Sequence, residues 1–167
     1  MKQATSRGSA TQGKGARRGR RREAVVRAAR AGDLSAVVAI DEEATGLRKP
    51  AYWKERLSWT GRGRRDRFFL VADHEGEVAG FILGDVRAWE FGSPPSGWIF
   101  GIDVRRKARL RGIGTLLHQA ICQRFRAAGV EMVRTMPSKH ANLVMSFFRG
   151  QGFMAGPFVL LEKRIGT

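Results

Sequence analysis

Seven consecutive residues, Arg109-Leu110-Arg111-Gly112-Ile113-Gly114-Thr115, place two arginines and two glycines between a predicted strand and a predicted helix. Glycine lacks a Cβ atom, so a turn built from it exposes several backbone N–H groups together where a helix begins. Those N–H groups, the positive end of the helix dipole and the guanidinium groups suit a phosphate or pyrophosphate. Glycine motifs of this kind are weak alone, so a basic turn whose glycines serve only geometry is an equal alternative.

Thiol and imidazole chemistry finds little support in the sequence. The single cysteine, Cys122, excludes an intramolecular disulfide and a Cys-cluster zinc site, and its place inside a predicted helix favours a half-buried, inert thiol. The histidines His74, His118 and His140 lie far apart, without metal-ligand spacing. We therefore expect no metal.

Hydrophobic periodicity and turn signals predict ten elements around the seven-residue motif. The predicted strands are 23–29, 68–72, 78–86, 97–104, 130–136 and 158–165. The predicted helices are 34–45, 51–60, 113–128 and a last one that runs through Phe148, with Ser138 as its candidate N-cap. Asp33 is a candidate N-cap for the first helix, and Gly46 closes it. The helix over 113–128 has the clearest apolar face and places His118 on its outer side.

The order β-α-α-β-β-β-α-β-α-β predicts an α/β (α+β) domain, with a mixed, largely antiparallel sheet flanked by helices. At 167 residues and 43% hydrophobic content, the chain is long enough for one core. No run approaches the roughly 20 apolar residues that span a membrane, and no apolar leader region is present. We expect a cytoplasmic protein without membrane contact.

Charge divides the chain into two parts. The formal net charge is +16, and residues 1–22 hold eight of the 31 basic residues and no acid. Their composition predicts a disordered basic arm over 1–22, followed by a folded domain over 23–167 that is still basic. The arm is either a weak contact to nucleic acid or the ribosome, or a solvated tail.

Several motifs in this order resemble the GNAT superfamily of acetyl-CoA-dependent N-acetyltransferases, and the resemblance covers residues 24–165. The predicted strand that ends at Val104, followed by the arginine and glycines of residues 109–114, is similar to the family's Arg/Gln-x-x-Gly-x-Gly/Ala signature. Phe147-Phe148-Arg149-Gly150-Gln151-Gly152-Phe153 resembles its later aromatic and Gly-Phe motif. The segment 33–43 resembles members that acetylate protein N-termini. Agreement of these motifs favours the pyrophosphate interpretation of the opening stretch.

The resemblance implies roles for individual residues. Backbone groups of Ile102 and Val104 would pair with the pantetheine arm of acetyl-CoA as an added strand. Side chains of Arg109 and Arg111 would add charge near the pyrophosphate, which would be held by the amides of Leu110, Arg111, Gly112, Ile113, Gly114 and Thr115. The fourth and fifth strands would splay apart and leave the thioester between them.

The resemblance specifies the catalytic groups less well. Many family members use a tyrosine at the position of Phe148 to protonate the thiolate, and phenylalanine has no proton to give. Asp103, between the two residues expected to pair with the coenzyme, is the nearest carboxylate for a base acting through water, or else a polar side chain on the sheet's other face. Weaker candidates are Asp85, Glu90 and His140, and Glu131 lies one residue from the family's position in the fifth strand.

These features predict transfer of an acetyl group from acetyl-CoA to a primary amine by direct attack in a ternary complex. The acceptor would be a protein N-terminus, a lysine or a small amine, and the protein a monomer or homodimer. Tyr52 and the pair Trp89 and Phe91 would line the acceptor groove. Two alternatives stay open: a non-catalytic acyl-CoA-binding module, favoured by Phe148, and a ribosome- or nucleic-acid-associated protein that uses the basic arm.

Overall fold

Apolar runs along the middle of the chain build a five-stranded sheet, with helices on both faces. The computed structural model describes residues 23–60 and 64–166; the predicted arm over 1–22 lies outside them. The strands are β1 (Val25–Ala28), β2 (Arg67–His74), β3 (Glu77–Arg87), β4 (Ser96–Val104) and β5 (Val133–Thr135). The helices are α1 (Leu34–Thr45), α2 (Pro50–Trp59), α3 (Ile113–Ala127) and α4 (Asn142–Gly150).

The strands lie in the order β1-β2-β3-β4-β5, so each strand neighbours the next along the chain. The pairs β1–β2, β2–β3 and β3–β4 are antiparallel, and the pair β4–β5 is parallel. A parallel neighbour needs a crossover, which α3 supplies. The predicted mixed, largely antiparallel sheet flanked by helices is confirmed.

Two apolar cores cover the two faces of the sheet. On one face, residues of α1 and α2 such as Val37 and Trp53 pack against Phe81 of β3. On the other face, α3 packs through Leu117, Ile121 and Phe125 against the sheet. The Phe125 ring fits only because Gly97 has no side chain, since a Cβ there would lie 2.6 Å from the ring.

The start of α1 departs from the expected cap. The Asp33 carboxylate accepts no hydrogen bond from the helix that it precedes. It instead accepts two bonds from the Arg27 guanidinium, at 2.7 and 2.9 Å, and one from the Arg30 N–H at 2.7 Å. The bonds from Arg27 lower the pKa of Asp33 and tie α1 to β1. Gly46 ends α1 in the left-handed conformation, with φ of 72°, as expected.

The sequence predictions for His118 and for residues 158–165 are wrong. His118 is buried rather than on an outer face, because the rings of Phe147 and Phe153 pack edge-on against it from the far side of α3. Residues 158–165 form no strand. A strand needs a neighbour for its backbone groups, and the edge strand β5 is only three residues long and ends shortly before Pro137.

Candidate active site

The turn between β4 and α3 holds its backbone N–H groups open. Leu110 and Gly112 both have positive φ, at 61° and 78°, and the Leu110 side chain is fully exposed. The first hydrogen bond of α3 runs from the Leu116 N–H to the Gly112 carbonyl, at 3.0 Å. Within the described residues, no acceptor takes the N–H groups of residues 110–115. We call this turn, residues 109–115, the amide cradle.

The two glycines of the amide cradle have different tasks. Gly112 supplies a left-handed conformation that a side chain would strain, and no other group lies within 4 Å of where its Cβ would be. Gly114 instead allows α4 to approach, since a Cβ there would lie 3.1 Å from the Phe147 ring. One glycine therefore shapes the cradle, and the other packs the helix that carries it.

The two arginines of the cradle also differ. The Arg109 Nε donates to the Val104 carbonyl at 3.0 Å, and its Nη2 lies 3.6 Å from the Asp103 carboxylate. Arg111 is exposed, and no carboxylate of the described residues forms an ion pair with it. Arg109 therefore braces the end of β4, while Arg111 offers a free guanidinium to an anionic ligand.

A gap opens between β4 and β5 beside the cradle. The two strands pair at Gly97–Val133, Trp98–Arg134 and Ile99–Thr135, where the Thr135 hydroxyl also donates to the Ile99 carbonyl at 2.9 Å. Beyond Ile99, the strand β4 carries an extra residue in its register with β3, which bulges it at Phe100. Residues 100–104 then have no strand on the β5 side. Such an open edge accepts an extended ligand as an added strand.

Asp103 lies on this open stretch, but its side chain faces away from the α3 side. Ile102 and Val104 pack against the core under α3, whereas Asp103 is paired with Phe81 on the face that α1 and α2 cover. Burial raises the pKa of Asp103 to about 6, against the lowering effect of Arg109 and with a smaller raising effect from Asp41. A carboxyl group with this pKa is ionised at neutral pH and is a stronger base than an ordinary aspartate.

The other carboxylates and the imidazole considered as bases have different surroundings. Asp85 shares the face of Asp103, but it lies beyond the Phe100 bulge, paired with Trp98, and accepts a bond from Arg87 at 3.0 Å. Exposed positions hold the remaining candidates, Glu90, Glu131 and His140. Of these groups, only Asp103 lies within the stretch of β4 that borders the gap.

Phe148 is a core residue. Its side chain is 3% exposed, and its ring packs edge-on against Phe147 and Phe153, with centroids 5.3 and 5.0 Å away. Cys122 is half-buried, as expected, and burial raises the pKa of its thiol. A raised pKa keeps the thiol protonated and unreactive.

Two features of the site had no clear signal in the sequence. Glu43 of α1 accepts bonds from the Arg106 N–H at 3.2 Å and from the Arg105 guanidinium at 3.3 Å, and its carbonyl accepts from the Arg106 guanidinium at 2.8 Å. This contact spans more than 60 residues of sequence and holds the loop that leads into the cradle. The second feature is strain in the β3–β4 loop, where Trp89 and Phe91 are exposed with φ of 65° and 50°.

Within the described ranges, no three metal-binding side chains come together. None of the helices described is both long and apolar enough to cross a membrane.

Comparison with solved structures places this fold among known ones. A transcriptional regulator from Bacillus halodurans is 20% identical, with a TM-score of 0.72, over 85% of this chain and 100% of that chain. An aminoglycoside N-acetyltransferase in complex with CoA is 17% identical, with a TM-score of 0.72, over 86% and 96%. Glucosamine-6-phosphate N-acetyltransferase from Arabidopsis thaliana is 14% identical, with a TM-score of 0.67, over 87% and 100%. These identities establish a shared fold.

Comparison of sequences establishes the family. No curated protein sequence matches the chain significantly. The model of the acetyltransferase (GNAT) family matches residues 34–153, which include every element from α1 to α4. The chain therefore belongs to the GNAT family of acetyltransferases, enzymes that use acetyl-CoA as the acyl donor.

Proposed function

We propose that this protein transfers an acetyl group from acetyl-CoA to a primary amine, by direct attack of the amine within a ternary complex. The acceptor is a protein N-terminus, a lysine or a small amine. Acetyl-CoA would lie with its pyrophosphate on the amide cradle and its pantetheine arm along Ile102 and Val104. The reacting ends would meet in the gap between β4 and β5.

The observation that carries the proposal is the amide cradle beside an open strand edge. Six consecutive N–H groups at the start of a 15-residue helix lack acceptors among the described residues, and the free guanidinium of Arg111 adjoins them. Unsatisfied N–H groups and a helix dipole favour a doubly charged phosphate group. The open stretch 100–104 of β4 ends where the loop to the cradle begins, so one extended molecule can contact both the strand and the cradle.

Asp103 is our candidate for the general base. Acetyl transfer needs the amine to lose a proton, and a carboxylate with a pKa near 6 can accept it directly or through one water. Its side chain lies on the face that α1 and α2 cover, opposite the face of α3. An acceptor would therefore approach from the α1–α2 side, where Tyr52 of α2 is exposed.

A non-catalytic acyl-CoA-binding module is the second candidate function, and Phe148 favours it. The family resemblance implies a tyrosine acid at this position, where the chain has a buried phenylalanine, so water or another donor replaces the tyrosine or the thiolate leaves unassisted. This alternative retains coenzyme binding at the cradle and differs only in turnover.

The experiment measures CoA binding by calorimetry and the release of free thiol from acetyl-CoA with a panel of peptides and amines. Gly112→Asp should weaken CoA binding about 100-fold or more, because it strains the backbone and places a carboxylate where a pyrophosphate binds. Gly46→Asp is the matched control, since Gly46 has nearly the same φ and equally open surroundings at the end of α1. Gly46→Asp should lower the free energy of unfolding by about as much as Gly112→Asp does, and it should leave CoA binding unchanged.

The outcomes separate the two candidates. Thiol release above the enzyme-free rate with any amine supports the transferase, whereas tight CoA binding without release across the panel supports the binding module. Unchanged CoA affinity in the Gly112→Asp protein would contradict the cradle assignment under either function.

A further inference from the structure

A narrow cleft lies between the end of α2 and the sheet, on the face that α1 and α2 cover. Its lining includes Arg56 and Trp59 of α2, Arg67 of β2, Asp85 of β3 and Phe100 of β4. Phe100 is the residue at which β4 bulges and beyond which its edge has no strand on the β5 side. The cleft therefore reaches the start of the gap between β4 and β5.

Aromatic rings hold the two arginines of this cleft in place. The Cζ atom of Arg56 lies 3.5 Å from the centre of the Trp59 ring and 4.8 Å from that of the Tyr52 ring. The Cζ atom of Arg67 also lies over the Trp59 ring, 4.8 Å from its centre. A guanidinium group that lies over a ring face is fixed in orientation, and the N–H groups along its edge can still donate to an acceptor.

Neither arginine of the cleft forms an ion pair with a carboxylate of the described residues. Asp85, the acid in the lining, accepts from the Arg87 Nε at 3.0 Å instead. The Nε of Arg56 is buried and has no hydrogen-bond partner in the part of the chain that the structure describes. Half-buried guanidinium groups without a counter-ion are costly, and a carboxylate or phosphate would satisfy them with paired, charge-assisted hydrogen bonds.

We propose that this cleft binds an anionic group of the acceptor, so that the substrates are primary amines that carry a carboxylate or phosphate about 10 Å from the reacting nitrogen. The inference rests on the proposed function. Asp103, our candidate base, lies three residues beyond Phe100, which is about 10 Å along a strand. An amine beside Asp103 would therefore place such an anion at Arg56 and Arg67. A polycationic amine would instead meet these arginines and an aspartate that is already paired.

The test compares acceptors that differ only in charge. Short peptides, otherwise identical, carry glutamate, phosphoserine, glutamine or lysine at the third and fourth positions, about 10 Å from the amine in an extended chain. Thiol release from acetyl-CoA measures turnover, and calorimetry with the CoA-bound protein measures peptide binding. We expect kcat/KM and affinity to be about tenfold higher for the two acidic peptides than for the glutamine peptide, and lowest for the lysine peptide. A small ω-amino carboxylate of the same span, compared with its uncharged amide, separates a small-molecule acceptor from a peptide.

Substitution of the arginines assigns the preference to the cleft. Arg56→Gln and, separately, Arg67→Gln should lower kcat/KM and affinity for the glutamate peptide about tenfold and change those for the glutamine peptide less than about twofold. A folding defect would lower both together, so the ratio between the two peptides reports charge. Arg124→Gln is the matched control, because it removes the same charge at an exposed position of α3, on the other face of the sheet. This variant should keep the ratio of the parent protein.

The outcomes distinguish this inference from the proposed function. Equal rates for the glutamate, glutamine and lysine peptides or, without turnover, equal affinities would overturn the acidic-acceptor inference, and such rates would leave the transferase standing. Absence of thiol release with every amine would count against the transferase alone, while a binding preference for acidic peptides that Arg67→Gln removes would still support the cleft. A charge preference that survives both arginine substitutions would overturn the assignment to this cleft.

Discussion

Two residues of the site have properties set by their burial. Asp103 lies on the stretch of β4 that has no strand on the β5 side, and its carboxylate is 27% exposed, with the Arg109 guanidinium 3.6 Å away. Burial raises its pKa more than Arg109 lowers it. Phe148, in contrast, is enclosed by aromatic rings and has no polar group to contribute.

The Asp103→Asn variant tests the base. If the ionised carboxylate accepts the amine proton, kcat/KM of the parent protein should rise with pH through an apparent pKa of about 6. The variant should no longer show this pH dependence, and its kcat should fall about 100-fold or more, which is the usual contribution of a general base to the rate. Steady-state rates between pH 5 and 8.5 measure both effects. Asp85→Asn should keep the pH dependence; the reverse pattern would move the base to Asp85.

The same variant has a predictable effect on stability. A raised pKa in the folded state means that Asp103 stabilises the fold fully below the unfolded value of 3.8 and loses that contribution as pH rises through about 6. Asp103→Asn should therefore match the parent near pH 4 and exceed it by about 1 to 2 kcal/mol near pH 7.5. Thermal unfolding at both values measures the difference, and an equal Tm at pH 7.5 would contradict the desolvation argument.

Phe148→Tyr tests whether the missing acid can be restored. The new hydroxyl would enter an apolar core without a partner, so we expect a loss of about 1 to 3 kcal/mol in stability and no gain in kcat. Chemical denaturation and steady-state rates measure these effects. Phe91→Tyr adds the same atom at a fully exposed position and should leave stability unchanged. A rise in kcat of tenfold or more in Phe148→Tyr would show that position 148 reaches the leaving thiolate.

At the scale of elements, α1 holds the loop that leads into the amide cradle. Glu43 is the acceptor for the Arg106 N–H and for the Arg105 guanidinium, while the Nε of Arg105 donates to the Val78 carbonyl. The loop is thus fixed both to α1 and to β3. The position of the cradle depends on a helix that lies on the opposite face of the sheet from α3.

Glu43→Ala should weaken this brace. The Arg106 N–H would lose its acceptor and Arg105 its counter-ion, so we expect stability to fall by about 1 kcal/mol and CoA binding to weaken three- to tenfold. Calorimetry and thermal unfolding measure the two effects. Glu42→Ala is the matched control, because the neighbouring Glu42 forms only a surface pair with Arg48 at 2.9 Å. CoA affinity equal to that of the parent would mean that the cradle is positioned without α1.

Local patterns in the sequence predicted most of the elements and the place of the cradle. The apolar face of residues 113–128 and the glycines before it depend on neighbours along the chain, and the structure has α3 and its turn there. His118 was misplaced because the partner that buries it, α4, is distant in sequence. The Glu43 brace was not predicted for the same reason, because Arg105 and Arg106 are more than 60 residues away from Glu43 in sequence.

At the scale of the whole molecule, the sheet separates the amide cradle from the Asp103 carboxylate. The amide cradle belongs to α3, on one face, and the Asp103 carboxylate belongs to the face that α1 and α2 cover. At the end of β4, the Arg109 guanidinium of the cradle lies 3.6 Å from that carboxylate. The amide cradle is built from one short run of neighbouring residues, 109–115, and can therefore be recognised in the sequence. The acceptor half that we propose would use α2, the β3–β4 loop and β4, which are distant from one another in sequence.

The way in which β5 joins the sheet also bears on how the protein folds. Strands β2 and β3 are joined by a tight turn, whereas β5 meets β4 through three residue pairs that span 36 positions of sequence, with α3 between. Closing a long loop costs more conformational entropy than forming a hairpin, and here few contacts offset that cost, so this step is slower. The β2–β3–β4 meander should therefore assemble first, and β5 should dock last. A partly folded chain would then have the amide cradle without the gap between β4 and β5, so the activity that we propose would report completion of the fold.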